Sequence, residues 1–144
     1  MTDSSSRLTP RLIVSSANEA IAFYQEVFGA EELERYTSPS GVVVHAAISI
    51  DGATISLADA HLDWYPPMRE EGSPILLTLV CDDPDATAKR AEKLGATILI
   101  PIADRPYGRR EGRIRDPFGH LWILSRVLKE MSPAEIQAAV DHMS

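Results

Sequence analysis

The sequence predicts an α+β protein of two tandem βαβββ modules, which form a curled, mixed eight-stranded sheet around a concave cavity. The helices lie outside that sheet, and one further helix follows at the C-terminus. Three observations lead to this prediction. The two halves of the chain repeat, each half opens with a strand and a helix that stops near a glycine, and each half closes with a hairpin.

The repeat is seen when the two halves are aligned at an offset of 66 residues, which places Gly29 opposite Gly95. Between Val14/Val80 and Leu33/Leu99, seven residue pairs are then identical, and both glycines end a predicted helix. The hairpin turns Asp51-Gly52 and Phe118-Gly119 need an offset of 67 instead, so one residue has been inserted. A duplication of this size predicts two copies of one supersecondary unit.

The first module is predicted over residues 8–59. Residues 8–14 are rich in Leu, Ile and Val and predict a strand. Ser16 and Glu19 then form a capping box, and apolar residues at helical spacing follow as far as Gly29. Three more strands are expected over 31–36, 42–50 and 53–58.

The second module is predicted over residues 75–125, after a linker or lid at 60–74 that contains two prolines. Its helix is capped by Asp82 or Asp83. Strands are expected over 75–80 and 97–101, a polar loop over 104–110, and a hairpin at the Asp-Pro-Phe-Gly turn. The domain extends over 8–128. Residues 129–144 add a helix, for which packing on its own domain is favoured over a dimer contact.

Composition and charge exclude several classes of protein. The 144 residues carry a formal net charge of -7, which argues against binding to nucleic acid or to an anionic membrane. The single cysteine, Cys81, excludes an internal disulfide and is expected to be a small buried hydrophobe. With no long apolar run and no signal peptide, the chain is expected to be cytoplasmic.

Several features together resemble the vicinal-oxygen-chelate superfamily, which includes glyoxalases, bleomycin resistance proteins and extradiol dioxygenases. They are Phe23-Tyr24 and Phe28-Gly29-Ala30 in the first helix, the duplication, and the Asp-Pro-Phe-Gly-His turn at 116–120. The resemblance extends from Leu8 to Leu124 and implies the fold and a homodimer. It does not choose a reaction, because the group contains isomerases, dioxygenases, thiol transferases and drug-binding proteins.

Metal-using members of that group place their ligands on the first and last strands of each half. Counting from the repeat, these positions correspond here to Thr9, Ser56, Ile75 and Ile123. None of these side chains is a histidine or a carboxylate, which are the ligands that divalent metals need. We therefore expect no metal and no other cofactor, and we expect Ile75 and Ile123 to meet as an apolar floor of the cavity.

Other residues are candidates for binding a ligand, each with a structural alternative. His45 lies in a strand, where a half-buried structural histidine is the commoner role. Trp64 and Tyr65 could cover a pocket or anchor their loop. Arg113, which alternates with Ile114 before Arg115, could clamp a carboxylate or phosphate-like group or be paired to a nearby acid. The predicted ligand-binding residues are His45, Ser56, Trp64, Tyr65, Ile75, Arg113 and Ile123.

Three functions remain open from the sequence. The leading hypothesis is a metal-independent, homodimeric protein that binds a small organic molecule in the cavity, with drug sequestration as one role. The second is an enzyme of the lyase or isomerase type, for which His45 is the strand-borne candidate base. The third is an interaction module whose cavity is filled by side chains.

Overall fold

The computed structural model describes residues 7–61, 63–67 and 72–143, so part of the predicted linker, residue 62 and residues 68–71, lies outside the described residues. Within these ranges the chain forms three helices and eight strands. In order they are β1 (Arg11–Val14), α1 (Ala17–Phe28), β2 (Glu31–Thr37), β3 (Val43–Ile50), β4 (Ala53–Asp59), β5 (Leu76–Val80), α2 (Pro84–Lys93), β6 (Thr97–Arg105), β7 (Arg109–Arg115), β8 (Leu121–Val127) and α3 (Pro133–Asp141).

The strands form one four-stranded mixed sheet in each module. The strand orders are β1-β4-β3-β2 and β5-β8-β7-β6, and in each sheet the first strand runs parallel to the last while the other pairs are antiparallel. Two βαβββ modules and the α+β class are therefore confirmed. The described strands form two hydrogen-bonded sheets of four strands each, not the single eight-stranded sheet that was predicted. The alternation of apolar and polar residues within a strand could not reveal this, because it does not determine which sheet edges pair.

In module 1, α1 begins at Ser16, whose hydroxyl accepts a hydrogen bond from the Glu19 N–H. It ends at Gly29, which adopts φ +69°, a conformation that costs glycine little. The helix packs on a sheet face whose side chains are almost fully buried: Leu12, Val14, Ile48 and Leu57. Asp59, at the end of β4, accepts bonds from the N–H groups of Ala17 and Val43 and so ties the helix to β3.

In module 2, α2 is capped by Asp83, which accepts a bond from the Ala86 N–H, and Pro84 occupies the first turn. The helix packs against β6, β7 and β8 over Ile114, Trp122 and Leu124, each at most 2% exposed. The indole N–H of Trp122 donates to the buried Asp116 carboxylate at 2.9 Å. The last helix, α3, belongs to this unit, but none of its described residues is buried.

The predicted end of β6 is wrong. This strand continues to Arg105 and pairs with β7 as far as Arg109, where a polar loop was expected. The polar residues here make contacts across the hairpin, as in the 2.9 Å ion pair of Asp104 with Arg110. The charged residues of this segment therefore lie on a strand face, where they form cross-strand pairs, and not in a loop.

The repeat is also shifted by one residue in the first strands. In module 1, Arg11 pairs with Ser56, and in module 2, Thr78 pairs with Ile123. Both pairs give an offset of 67 (78 − 11 and 123 − 56). The N-terminal helix caps Ser16 and Asp83 are also 67 residues apart (83 − 16 = 67). Because α2 is shorter than α1, the offset of 66 applies only at the C-terminal ends of the two helices.

The chain divides into two compact units, the first of which ends at Gly72 and also includes Phe118–His120. Within that unit, the Phe118 ring lies 6.1 Å from the Phe23 ring, edge to face. The His120 Nε2 atom lies 2.8 Å from the Ile13 carbonyl oxygen, to which it donates. This hydrogen bond ties the residue that follows the Asp-Pro-Phe-Gly turn to β1. Among the described residues, no helix is long and apolar enough to cross a membrane.

Candidate functional site

Each sheet has a face turned away from its packing helix, α1 or α2, and we call it the far face. In module 1 the far face carries Arg11, His45 and Ser56, because strand alternation places them opposite the buried Leu12 and Leu57. In module 2 it carries the side chains that alternate with Ile114 and Trp122. Far-face residues are the candidates for contact with a ligand, because the packing helix does not cover them.

On the far face of module 1, His45 lies at the centre of a polar cluster. Its Nδ1 atom is 2.9 Å from an Arg11 guanidinium nitrogen, and its Nε2 atom is 2.8 Å from a Glu34 carboxylate oxygen. The Tyr36 hydroxyl donates to the other Glu34 oxygen at 3.0 Å. The rings of Tyr36 and His45 also stack, with centroids 5.8 Å apart. We call these four residues the His45 cluster.

Hydrogen-bond chemistry determines the form of the His45 ring. A guanidinium has no acceptor, so Nδ1 must accept from Arg11 and cannot carry a proton. Nε2 then carries the proton and donates it to Glu34. The hydrogen bond from His45, followed by that from Tyr36, lowers the pKa of Glu34 below its usual range. The His45 ring thus bridges the Arg11 guanidinium and the Glu34 carboxylate.

Ser56, another predicted ligand-binding residue, lies on the same far face and is 6% exposed. Its hydroxyl donates to the Pro10 carbonyl oxygen at 3.3 Å, and its N–H donates to the same oxygen at 3.0 Å. The hydroxyl therefore helps to hold the chain just before β1. A contact between Ser56 and a ligand stays a prediction.

On the far face of module 2, Arg113 and Ile123 are direct partners in the β7–β8 pairing. Arg115 lies two residues further along β7 on the same face, because Ile114 between them is fully buried against the α2 side. Both arginines therefore point to the far face. Thr78 of β5 is the partner of Ile123 on its other side.

Two adjoining clefts lie on this far face. The larger, of about 420 Å³, is lined by Thr78, Tyr107, Arg109, Glu111, Ile123 and Ile136. The smaller, of about 200 Å³, shares Tyr107, Glu111 and Ile123 with it and adds Ile100, Arg105, Gly112, Arg113 and Met143. Apolar walls with a few convergent polar groups are typical of small-molecule sites.

A chain of hydrogen bonds joins the polar groups that the clefts share. Glu111 accepts from the Tyr107 hydroxyl at 2.6 Å and from the Ser125 hydroxyl at 2.8 Å. Arg109 donates to the same Ser125 oxygen at 3.2 Å. Burial, and secondly the bond to Glu111, raises the pKa of Tyr107. Tyr107 is therefore a neutral donor at physiological pH, and its orientation is set by Glu111.

The expectation that Ile75 and Ile123 meet on one face is wrong. Ile75 precedes β5 and is 64% exposed. Continued alternation would place it with Leu77, whose partner is Trp122 on the α2 side. The shifted repeat makes Leu76 the module 2 counterpart of Thr9 (76 − 9 = 67). Whether Ile75 touches a ligand stays a prediction.

The predicted loop aromatics have different surroundings. Trp64 stacks on His61 with ring centroids 4.8 Å apart, and the backbones of these two residues form a bridge. Its indole therefore helps to order its own loop, although 47% of the residue remains exposed. Tyr65 is 70% exposed. The ligand contacts of Trp64 and Tyr65 stay predictions.

The residues at the expected metal positions do not fit a divalent cation. Module 1 offers the hydroxyl-bearing Thr9 and Ser56, and module 2 offers Leu76, the corrected position, and Ile123. Hydroxyl and alkyl side chains lack the imidazole or carboxylate donors that these metals need. Among the described residues, no group of three or more His, Cys, Asp or Glu side chains could hold a metal ion.

Sequence reasoning missed Arg11, Glu34, Tyr36, Tyr107 and Glu111. Glu34 and Tyr36 alternate on β2 and could have been placed on one face, but the irregular β2–β3 register hid their relation to His45. Tyr107 was assigned to the polar loop at 104–110, which proved to be part of a hairpin, and Glu111 lay just beyond that loop. The usable signal was the alternation Glu111-x-Arg113-x-Arg115, which continues the far face beyond the predicted strand.

Comparison with known proteins identifies relatives over most of the chain. The family model described as the Glyoxalase/Bleomycin resistance protein/Dioxygenase superfamily matches residues 7–124. An uncharacterised protein of Mycobacterium bovis is 38% identical over 138 residues, which cover 92% of this chain and 91% of that protein. An uncharacterised protein of Mycobacterium tuberculosis is also 38% identical, over 92% of this chain and 81% of its own length.

Solved structures are similar in fold. TioX from Micromonospora is 25% identical with a TM-score of 0.63, covering 88% of this chain and 100% of its own. FosX from Listeria monocytogenes, a fosfomycin resistance protein crystallised with Mn(II) and sulfate, is 22% identical with a TM-score of 0.67. That match covers 94% of this chain and 98% of FosX, and at this identity it shows the fold alone.

Proposed function

Because the chain belongs to the glyoxalase/bleomycin resistance protein/dioxygenase superfamily, we propose that it binds a small organic molecule on the far face of module 2 without a metal ion. The observation that supports this most directly is the pair of adjoining clefts around Tyr107, Glu111 and Ile123. A neutral phenol and a carboxylate orient a ligand there, and isoleucine side chains remove its apolar part from water.

Sequestration of a drug or a toxic metabolite suits such a site, since a binding protein needs only shape and a few polar anchors. The name of FosX, a fosfomycin resistance protein, makes resistance to an antibiotic the first role to test. The protein acts in the cytoplasm as a homodimer in this proposal. Sedimentation of the purified protein would test the dimer, and a monomer at micromolar concentration would contradict it.

The test of binding is a screen of aromatic antibiotics, fosfomycin and carboxylic-acid metabolites by thermal shift and ligand-observed NMR. Thr78→Trp fills the larger cleft from an exposed strand position, and Thr37→Trp makes the same change on an exposed strand of module 1. We expect at least one compound to stabilise the wild type and Thr37→Trp but not Thr78→Trp. Failure of every compound, or unaltered binding by Thr78→Trp, would contradict the proposal.

The His45 cluster favours a second function, proton transfer in a lyase or isomerase reaction. A base oriented by a carboxylate 2.8 Å away is the arrangement that such catalysis uses. It ranks second because Arg11 occupies Nδ1, the nitrogen that would accept the proton, and must first move away. Catalysed exchange of deuterium from D₂O into a panel of carbonyl compounds would support this second function if the exchange is lost in the His45→Ala variant and kept in the His142→Ala variant. No exchange with any compound would exclude it for that panel.

A further inference from the structure

Two arginines on the far face of module 2 lack hydrogen-bond partners for part of their side chains. The Nε atoms of Arg113 and Arg115 are buried and have no partner among the described residues. A buried N–H without an acceptor is rare in folded proteins, because its lost hydration is not replaced. Two such groups, two residues apart on one strand face, need an explanation.

The nearest carboxylates in the sequence do not supply one. Glu111 accepts from the neutral hydroxyls of Tyr107 and Ser125, and Asp116 accepts from the Trp122 indole. The ion pairs described in this module instead use Arg110, with Asp85 and Asp104. Neither Arg113 nor Arg115 forms an ion pair among the described residues, although the chain as a whole carries -7.

From these observations we infer that Arg113 and Arg115 bind the anionic group of a small organic acid. With Nε buried, the terminal N–H groups of each planar guanidinium are the donors that can meet two oxygens of a carboxylate, phosphonate or phosphate. Residues i and i+2 of a strand stand roughly 6.7 Å apart, so one anion can reach both fork-shaped donors. This inference rests on the proposed ligand site and names its chemical class.

The surroundings favour an acid with an apolar body. Beside Arg113, the smaller cleft is lined by Ile100, Ile123 and Met143. An inorganic anion would leave these side chains in contact with water, whereas a small organic acid covers them. Because the protein is acidic overall, only a local cluster of arginines can hold an anion, and added salt should weaken that hold.

The experiment uses calorimetry and amide-detected NMR titration of the full chain. The probes are phenylphosphonate, benzoate, inorganic phosphate and the neutral benzyl alcohol. The variants are Arg113→Gln and Arg115→Gln, together with Arg113→Lys, which keeps the positive charge but lacks the planar set of guanidinium N–H donors. Arg126→Gln is the matched control, because Arg126 is an exposed arginine of β8 that alternates onto the other face of the same sheet. Melting curves establish that each variant is folded.

We expect phenylphosphonate or benzoate to bind more tightly than inorganic phosphate, and binding to weaken with salt. Arg113→Gln and Arg115→Gln should each weaken it at least tenfold, Arg113→Lys should be intermediate, and Arg126→Gln should match the wild type. Equal losses in Arg126→Gln, or binding unchanged in Arg113→Gln, would overturn the inference. Binding of benzyl alcohol but of no anion would overturn it while leaving the proposed site intact, and binding of no probe would count against both.

Discussion

The His45 cluster shows at the scale of single residues what a sequence reveals and what it hides. The sequence predicted that His45 lies in a strand, and this much is confirmed. Its partners depend on register shifts between Glu32 and Glu34 and between Tyr36 and Thr37. A shift of one residue turns a side chain to the opposite face, so no count along the sequence could pair Glu34 with His45.

The pKa of Glu34 provides a test of this cluster. Its folded-state value is lowered by the donors His45 and Tyr36, in that order. The stabilisation that this represents is present above the usual glutamate range and is lost as the pH falls through the lowered value. We therefore expect His45→Ala to raise the pKa of Glu34 most and Tyr36→Phe to raise it less.

Carbon-detected NMR titration of the glutamate carboxyl signals would measure these changes. Glu26, an exposed residue of α1 outside the cluster, serves as the internal control for the spectra. If the pKa of Glu34 in the wild type is not below the usual glutamate range, or does not move in either variant, the cluster does not exist in solution as described.

At the scale of elements, the β6–β7 hairpin departs most from the sequence prediction. Pro101 and the charged residues after it suggested that β6 stops, and the register does shift between Ile100 and Ala103. The strand nevertheless resumes, because Arg105 donates to the carbonyl oxygens of Glu111 and Pro101. Such side-chain bonds to the backbone replace missing ladder bonds, and a pattern of apolar residues cannot reveal them.

Gly112 is the residue that this hairpin requires. A Cβ atom at position 112 would lie 2.5 Å from the Ile100 carbonyl oxygen and 2.8 Å from the Ile102 nitrogen, both backbone atoms. We expect Gly112→Ala to lower the free energy of unfolding by about 1–3 kcal/mol, the usual cost of overpacking. Urea denaturation measures this loss, and hydrogen exchange should place it in the amides of β6 and β7.

An unchanged urea midpoint in Gly112→Ala would contradict this account. It would mean that β6 moves away from β7 at no cost, and that the close approach of the two backbones is not a constraint. Gly41 offers a contrast, because its φ of +92° demands glycine for conformational reasons while a Cβ there meets nothing. Gly41→Ala should therefore destabilise without faster exchange in β6 or β7.

At the scale of the whole molecule, the duplication was the strongest signal, since it predicted both βαβββ modules. What it could not supply was the local offset. Identities concentrated at the helix ends set it at 66, whereas the strand pairs Arg11–Ser56 and Thr78–Ile123 require 67. One residue of error moved the predicted floor of the site from Leu76 to Ile75, on the wrong face.

The last prediction concerns metal independence. It depends on the residues at the expected metal positions, which correspond to each other in the two modules through the duplication. Purified protein should carry no stoichiometric Zn²⁺, Ni²⁺ or Mn²⁺, and its melting temperature should not change after dialysis against EDTA. Ile123→Glu should melt at a lower temperature, because a partly buried carboxylate loses hydration, although its strand partner Arg113 lessens the cost. Zn²⁺ or Ni²⁺ should not restore it, since Leu76 and Thr78 offer no imidazole or carboxylate and the Glu111 carboxylate is already hydrogen-bonded to Tyr107 and Ser125.

Val127→Glu is the control for this experiment, because Val127 lies on the same face of β8 but is 38% exposed near the strand end. A carboxylate there keeps its water, so its melting temperature should stay close to that of the wild type. One tightly bound equivalent of metal in the wild type, a wild-type melting temperature in metal-free Ile123→Glu, or its full recovery with Zn²⁺ would each contradict the prediction. Any of these results would mean that donors outside the described residues, or a rearranged far face, complete a cation site that Leu76 and Ile123 cannot form.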